Sequence, residues 1–524
     1  MARSRTENVA LGSTMGLILK FATYILQFAV KTIFIKTLGD NYNGTAGLFT
    51  DILAMMELAE LGLSAAIAYA LYKPIREKDN QRIADLMGLY RKAYLVIAGV
   101  LMIAGFALMP FLPRLVRNVP DIKESIYVIF FLYVLRTSSS YLLAYKQTLL
   151  SANQQRYYIL RIQLLCTVVR SVTECAVLLI FRSFYLYISV GIAYSLVSNW
   201  IISRKADKKF PEVEKLKPQR LDDASRKALY RDVGALSIYR INATILSSTD
   251  SIIISAASSF GVATIGYLSN YRHIISTVQA VINQFFFSLT PSLGNLAVEK
   301  DADKQYHVFR ILFFMTFWVL CFCSVSLITL LTPFIRDIWL REAHYAMPFS
   351  IPAILVFDFY IGAFMRPMNS FRNANGLFVQ GRWRPAAMAV LNVFLSLALL
   401  KPLGIFGVLA ATSISRIATQ MWYDPYLIYR EVFHRPVKDY WKLYFSYSCV
   451  TLLCIAATLL LSEAADAQIG EKLPAFLVRI LFCAVIPNSV IVLIFRRSPV
   501  YQECLARLKP YTGRLRRVFR RKKP

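Results

Sequence analysis

Lys20, Tyr24, Gln27 and Lys31 recur at helical spacing within one long apolar stretch. At about 100° per residue, Lys20, Gln27 and Lys31 fall within roughly 20° of one direction, with Tyr24 close by and Ser13 extending the stripe. The remaining faces are Leu, Ile, Phe and Val. A helix that is cationic on one side and apolar elsewhere suits the wall of a hydrated cavity that receives an anion. The competing reading is that the two lysines snorkel to opposite membrane surfaces. Both stand several residues from a helix end, which favours the cavity.

The design recurs along the chain. Arg272, Ser276, Gln279 and Asn283 form one stripe, flanked by Ser269 and His273. Arg240, Thr244, Ser247 and Ser251 share another, with Asp250 nearly a quarter-turn away. A further segment offers Arg366, Asn369 and Asn373 with Asp358 deeper, and Arg136 stands with Ser139 and Ser140. Ser and Thr alone would be ordinary helix–helix glue. An arginine at the same angle is not, because an ionised group at bilayer depth must be paired or face water. Acids are present too. Glu57 and Glu60 share a face with Ser64, and Arg170 stands one turn before Glu174, close enough for the two to neutralise each other. Glu57, Glu60, Asp250 and Asp358 are candidates for pairing with the cavity cations or for binding a coupling ion.

The elements that position these groups are membrane helices. Of 524 residues, 56% are hydrophobic and 17% charged, and the mean hydropathy is +0.48. Stretches of about 20 apolar residues, the length a spanning helix needs, recur about fourteen times between Leu11 and Phe495. The expected fold is an all-α polytopic membrane protein. Helices are expected near 10–37, 45–72, 89–112, 125–150, 158–182 and 184–203, then near 233–258, 262–297, 307–332, 346–374, 385–400 and 404–429, and finally near 442–462 and 473–495.

The formal charge of +29 would suggest nucleic acid in a soluble protein. Here Lys and Arg crowd into alternate loops, at Lys73–Lys92, Arg204–Arg231, Arg366–Arg384, Arg430–Lys442 and the tail from Arg496, with Pro113–Glu124 (Arg114, Arg117 and Lys123) as an exception. That is the positive-inside pattern, and it places both termini in the cytosol. The expected organisation is an N-lobe over 1–203, a basic cytosolic linker over 204–232, a C-lobe over 233–430, two further helices over 431–495 and a basic tail over 496–524. The lobes read as weak repeats. Gly47-Leu48-Phe49-Thr50-Asp51 is matched by Gly266-Tyr267-Leu268-Ser269-Asn270, and Ser151-Ala152-Asn153 by Asn373-Ala374-Asn375. Lys73–Tyr90 and the tail Leu505–Phe519 have amphipathic character suited to anionic lipids.

Motifs of soluble chemistry are weak. Asp301-Ala302-Asp303 sits in a short charged loop with no nucleotide-binding domain around it, the four histidines are scattered, and no P-loop is present. The eight cysteines make no C-x-x-C pair and read as small buried hydrophobes. No cleavable signal peptide is visible.

One family fits these residues. Leu391–Val408, read LNVFLSLALLKPLGIFGV and followed by Thr412, is similar to the signature of Wzx-type polysaccharide or lipid-linked oligosaccharide flippases in the multidrug/oligosaccharidyl-lipid/polysaccharide (MOP) superfamily. Tyr24–Leu38 followed by Gly44–Gly62, and Ala152–Tyr158, resemble it as well. The resemblance implies a bacterial plasma-membrane carrier of two six-helix lobes that moves an oligosaccharide on undecaprenyl pyrophosphate by alternating access. It implies no enzymatic activity and no cofactor, with Na+ or H+ as the candidate coupling ion. Its implied partners are the lipid-linked glycan, anionic lipids at the basic tail and polysaccharide polymerase machinery, with no nucleic acid. Lys20, Lys31, Arg240 and Arg272 would take the phosphates. Asn392, Ser396 and Thr412 are the nearest polar set to a sodium site, with no carboxylate beside them. The alternatives are a cation-coupled multidrug antiporter, a lipid II flippase, and, from another class, a membrane glycosyltransferase or polymerase.

Overall fold

The computed structural model describes residues 5–57, 63–116, 122–153, 155–223, 226–227, 233, 248–257, 261–299, 301–377, 380–381 and 383–506. Among them every regular element is helical. In chain order the main helices are α1 (Arg5–Leu38), α2 (Asp40–Met56), α3 (Leu63–Glu77), α4 (Asn80–Leu108), α5 (Ile126–Tyr141), α6 (Tyr145–Ala152), α7 (Arg156–Ile180) and α8 (Phe184–Lys209). They continue with α9 (Val262–Val298), α10 (Ala302–Pro333), α11 (Ser350–Phe364), α12 (Arg366–Ala374), α13 (Arg384–Arg416), α14 (Trp422–Glu431), α15 (Lys438–Ile469) and α16 (Lys472–Phe495). Ten helical stretches among the described residues are long and apolar enough to cross a membrane. The 48-residue stretch Arg384–Glu431 holds two legs, because Gly404 (φ 59°, ψ −139°) breaks α13. That backbone region is essentially glycine's alone, so the Lys401-Pro402-Leu403-Gly404 run separates the two expected helices 385–400 and 404–429.

Two expected helices are interrupted. The stretch 125–150 is cut between α5 and α6, where Leu143 takes a left-handed φ of 65°. Asn199 on α8 spans the cut, donating from Nδ2 to the carbonyls of Ser140 (2.7 Å) and Leu142 (3.2 Å). This satisfies acceptors that a broken helix leaves orphaned. The stretch 346–374 is likewise cut at Met365, between α11 and α12. The short sequence matches mark equivalent points: Asn153 is the C-cap of α6 and Asn375 the C-cap of α12.

The chain forms two compact units, Met1–Ser269 and Asn270–Pro524. The division falls inside α9, beyond the basic segment 204–232. The reason is a close crossing in the first unit. A Cβ on Gly44 would stand 2.0 Å from the Val262 carbonyl oxygen, and one on Gly266 would stand 2.9 Å from that of Asp40, so the first turns of α9 press directly on α2. The start of the basic segment is also folded rather than free. Asp85 accepts from the Gln219 backbone N–H (2.7 Å), Gln81 donates to the Lys217 carbonyl (3.1 Å), and Pro218 sits against Gly88.

Lys73–Tyr90 is not a separate surface helix. It is the corner between α3 and α4, with Asp79 capping α4 and Ile83, Leu86, Met87 and Tyr90 buried in the unit's apolar core. Of the expected amphipathic tail Leu505–Phe519, residues 507–519 lie outside the described residues. In the second unit α10 packs on α11, α15 and α16, and it and the α11–α12 stretch are each 67% buried, against 17% for α16. Phe309, Phe313 and Phe317 line α10 and meet Phe371, Phe364 and Tyr447 at ring distances of 4.4–5.7 Å. Without water between helices such packing, rather than a hydrophobic driving force, holds a bundle together.

Candidate functional site

On α1, Lys20 and Gln27 are exposed while Tyr24 and Lys31 are half-buried. Of the large apolar residues that α1 exposes, Ile18 and Ile25 lie about 100° or more around the helix from this stripe, and Phe21 borders it. The helix therefore has separate polar and lipid-compatible faces. At the end of the polar stripe Lys31 enters a knot of neutral oxygens. Its Nζ donates to the Ser269 carbonyl (3.3 Å) and to Ser269 Oγ (3.1 Å). Asn43 Nδ2 donates to the Gly266 carbonyl (3.0 Å) and to Ser269 Oγ (3.3 Å), and Ser269 Oγ donates to the Gly266 carbonyl (2.8 Å). The glycine crossing of α2 and α9 thus brings three helices to one ammonium. No carboxylate among the described residues pairs with it.

Arg136 occupies a comparable place on α5. Its guanidinium lies across Gly191 of α8, where a Cβ would stand 3.0 Å from Nε and 3.1 Å from Cζ. It makes no side-chain hydrogen bond or ion pair among the described residues. Nearby, Arg170 Nε donates to Glu174 Oε1 at 2.6 Å, and Arg170 lies 5.1 Å from the ring centroid of Tyr194. Glu174, 3% exposed, neutralises Arg170 and leaves Arg136 as the uncompensated charge of this set.

The second unit pairs its charges differently. Asp358 is taken by Arg416, whose Nε and Nη2 reach the two carboxylate oxygens at 3.1 and 3.2 Å. Asp358, a candidate charge partner, thus faces a cation on the second leg of α13, across Gly362. Asp424, fully buried, accepts from Arg372 (3.3 Å), Arg384 and Gln420 (3.3 Å). Arg366, at the start of α12, has a buried Nε without a hydrogen-bond partner and no ion pair among the described residues. Sequence reading missed Arg416, Arg372, Arg384 and Asp424. Arg416 was findable, because it is the one basic residue between Lys401 and Arg430 and an intramembrane aspartate needs a cation.

Other expected site residues stand apart from these clusters. Arg272 and Gln279 are half-buried on α9, the Ser276 hydroxyl turns back to the His273 carbonyl (2.9 Å), and the Asn283 side-chain oxygen is buried without a partner. Asp250 is buried beside Ser248 and Ser251. Glu57 caps the end of α2, so a continuous face from Glu57 to Ser64 is not part of the described structure. Glu60 and Arg240 lie outside the described residues. Asn392 Nδ2 donates to Thr412 Oγ1 at 2.9 Å, joining the two legs of α13, while Asn392 Oδ1 and Ser396 Oγ are buried and unpartnered. No His/Cys/Asp/Glu cluster fit for a metal occurs among the described residues. Asp301-Ala302-Asp303 is a helix start: Asp301 caps α10 and Asp303 pairs with Arg435 at 2.7 Å.

No family model matches the chain and no curated protein matches it. Solved structures do. The chain is similar to the lipid II flippase MurJ in an inward closed conformation, at 15% identity and a TM-score of 0.65, over 91% of this chain and 98% of that one. It is similar to an inward-facing multidrug resistance MATE family transporter of the MOP superfamily, at 13% identity and a TM-score of 0.60, over 78% and 95%. The Vibrio cholerae MATE transporter VcmN in its bent form matches at 15% identity and a TM-score of 0.54, over 82% and 98%. These neighbours are transporters and a flippase, and the chain shares their all-helical fold.

Proposed function

We propose that this chain is a flippase that carries an oligosaccharide on undecaprenyl pyrophosphate across the bacterial plasma membrane, for export of a surface polysaccharide, by alternating access of two lobes. The observation that carries the reading is that Lys31, Arg136 and Arg366 are intramembrane cations with no carboxylate partner among the described residues. Such charges are tolerated where a ligand or water completes them. A diphosphate gives up much hydration on leaving water and needs charge-assisted donors in return. Lysine supplies a point charge and arginine a two-pronged fork. Tyr24 and Gln27 on the lysine stripe, with Gln279 and Asn283, offer polar partners to sugars, while the prenyl chain stays in lipid. Arg272 and Arg240 extend the cationic set in this reading. For a coupling ion, the unpartnered oxygens of Asn392 and Ser396 with Thr412 would suit a hard monovalent cation, which prefers oxygen ligands.

A multidrug antiporter is the second reading, favoured by the MATE neighbours. An organic cation wants free carboxylates, however, and Asp358, Asp424 and Glu174 are each engaged by arginine. The experiment is complementation. In cells whose polysaccharide export depends on this chain, Lys31→Ala and Arg136→Ala are each expected to lower export at least about tenfold at normal protein levels. Normal export by both variants, or ethidium efflux conferred by the wild-type chain, would overturn the proposal.

A further inference from the structure

The second unit contains a cavity of about 850 Å³ that the flippase reading does not use. Its walls come from α10 (Ser324, Ile328), α11, α15 and the π-turn at the end of α13, and almost all of the lining is apolar. Large side chains at its rim face outward: Phe349 is 60% exposed, Phe445 58% and Leu452 64%. The lining therefore opens on the surface that meets lipid. Along α15 it runs from Trp441 to Ile455, about 21 Å at the rise of an α-helix, against about 15 Å for half of a hydrocarbon core. That is the length and character of a slot for one acyl chain.

One end of the slot is charged. Lys438, Trp441, Phe445, Ser448, Leu452 and Ile455 follow one face of α15 at i, i+3, i+7, i+10, i+14 and i+17. The last five line the cavity, so Lys438 stands on the same stripe at its mouth. It is exposed and makes no hydrogen bond or ion pair among the described residues. On α14, Trp422 lines the cavity, and Tyr426 and Arg430 follow it at i+4 and i+8 toward the end of the helix from which the chain turns into α15. Arg430 Nη1 donates to the Tyr426 hydroxyl (2.8 Å), and the guanidinium keeps further donors beyond its loose 3.4 Å contact with Glu431. Trp422 and Trp441 mark the depth at which indole rings settle between tails and headgroups. Asp439 is the opposing charge nearby, on the neighbouring face of α15.

We propose that this groove is a binding site for one anionic phospholipid, its acyl chain along Trp441–Ile455 and its headgroup phosphate on Lys438 and Arg430. The apolar slot alone would accept any tail; the two cations at one end select the headgroup. The inference is independent of what the chain transports.

Cys449 is an exposed lining residue and reports occupancy directly. The full-length protein is stripped of lipid in detergent, titrated with phosphatidylglycerol or phosphatidylcholine, and pulsed with N-ethylmaleimide; modification of Cys449 is read by peptide mass spectrometry. Phosphatidylglycerol is expected to protect Cys449 at concentrations where phosphatidylcholine does not. Lys438→Gln and Arg430→Gln, both at exposed positions, should each weaken that protection about fivefold while leaving phosphatidylcholine unaffected. Leu452→Trp should fill the slot and abolish protection by either lipid. Equal protection by the two lipids, unchanged protection in both charge variants, or protection by undecaprenyl phosphate alone would each overturn the site; the last would assign the groove to the cargo's tail.

Discussion

The helix pair that holds Arg136 and the pair that holds Arg416 use the same device with different electrostatics. In the first unit a guanidinium on α5 lies across Gly191 of α8; in the second a guanidinium on α13 lies across Gly362 of α11. By position these are the fourth and sixth expected spans of each half, with the arginine and the glycine exchanged between them. Arg416 is held by both oxygens of Asp358. Arg136 has no such partner among the described residues. One charge therefore stabilises its unit, and the other is left to be completed from outside the protein. Each unit keeps a niche for a large cation beside a glycine, while a single acid decides whether that cation is structural or available.

Three sets of substitutions test this contrast, beginning with the largest effect. Asp424→Ala strands Arg372 and Arg384, which are 11% and 12% exposed. The second unit should lose about 3–5 kcal/mol, read as a lower Tm in detergent. An unchanged Tm would mean that water reaches these arginines.

The matched pair Asp358→Ala and Arg136→Ala comes next. The Arg416–Asp358 pair is 19% and 28% exposed, so losing it should cost about 1–3 kcal/mol, less than at the buried cluster. Arg136→Ala strands no partner and should change stability by under about 1 kcal/mol. Export should nevertheless fall at least about tenfold, the scale of one charge-assisted contact to substrate. A drop in Tm as large as that of Asp358→Ala, with export retained, would make Arg136 structural.

The smallest effect is the most discriminating, because a difference in sign is expected. Gly362→Ala puts a Cβ 2.8 Å from Arg416 Nη1 and pushes the fork off Asp358, a loss of about 1–2 kcal/mol. At Gly191 the obstructed group is the end of a side chain with no bond to lose. The gain in helix propensity on replacing glycine, up to about 1 kcal/mol, should leave Gly191→Ala neutral or stabilised. Equal destabilisation of both would erase the distinction between the two niches.

The span pattern was readable because apolar runs of membrane length carry their own signature, and Gly404 after Lys401-Pro402 marks a break that local backbone sterics alone impose. The Asn153 and Asn375 matches were readable for a similar reason: both end the second segment of an interrupted helix. The interruptions themselves were not. Leu142-Leu143 and Met365 contain no glycine, and the break at Leu143 is sustained by Asn199 from another helix. Lys31 was singled out by spacing, but its partner Ser269 lies 238 positions away and meets it only where two glycines let α2 and α9 touch.

The sequence alone determined the solvent of each segment, because hydropathy and charge are properties of single residues and their neighbours along the chain. It also determined which helices carry cations at membrane depth. Tertiary structure alone decided which of those cations are neutralised. Charge pairing depends on distances of a few ångströms between helices far apart in the chain, and those distances follow from where small residues allow close approach.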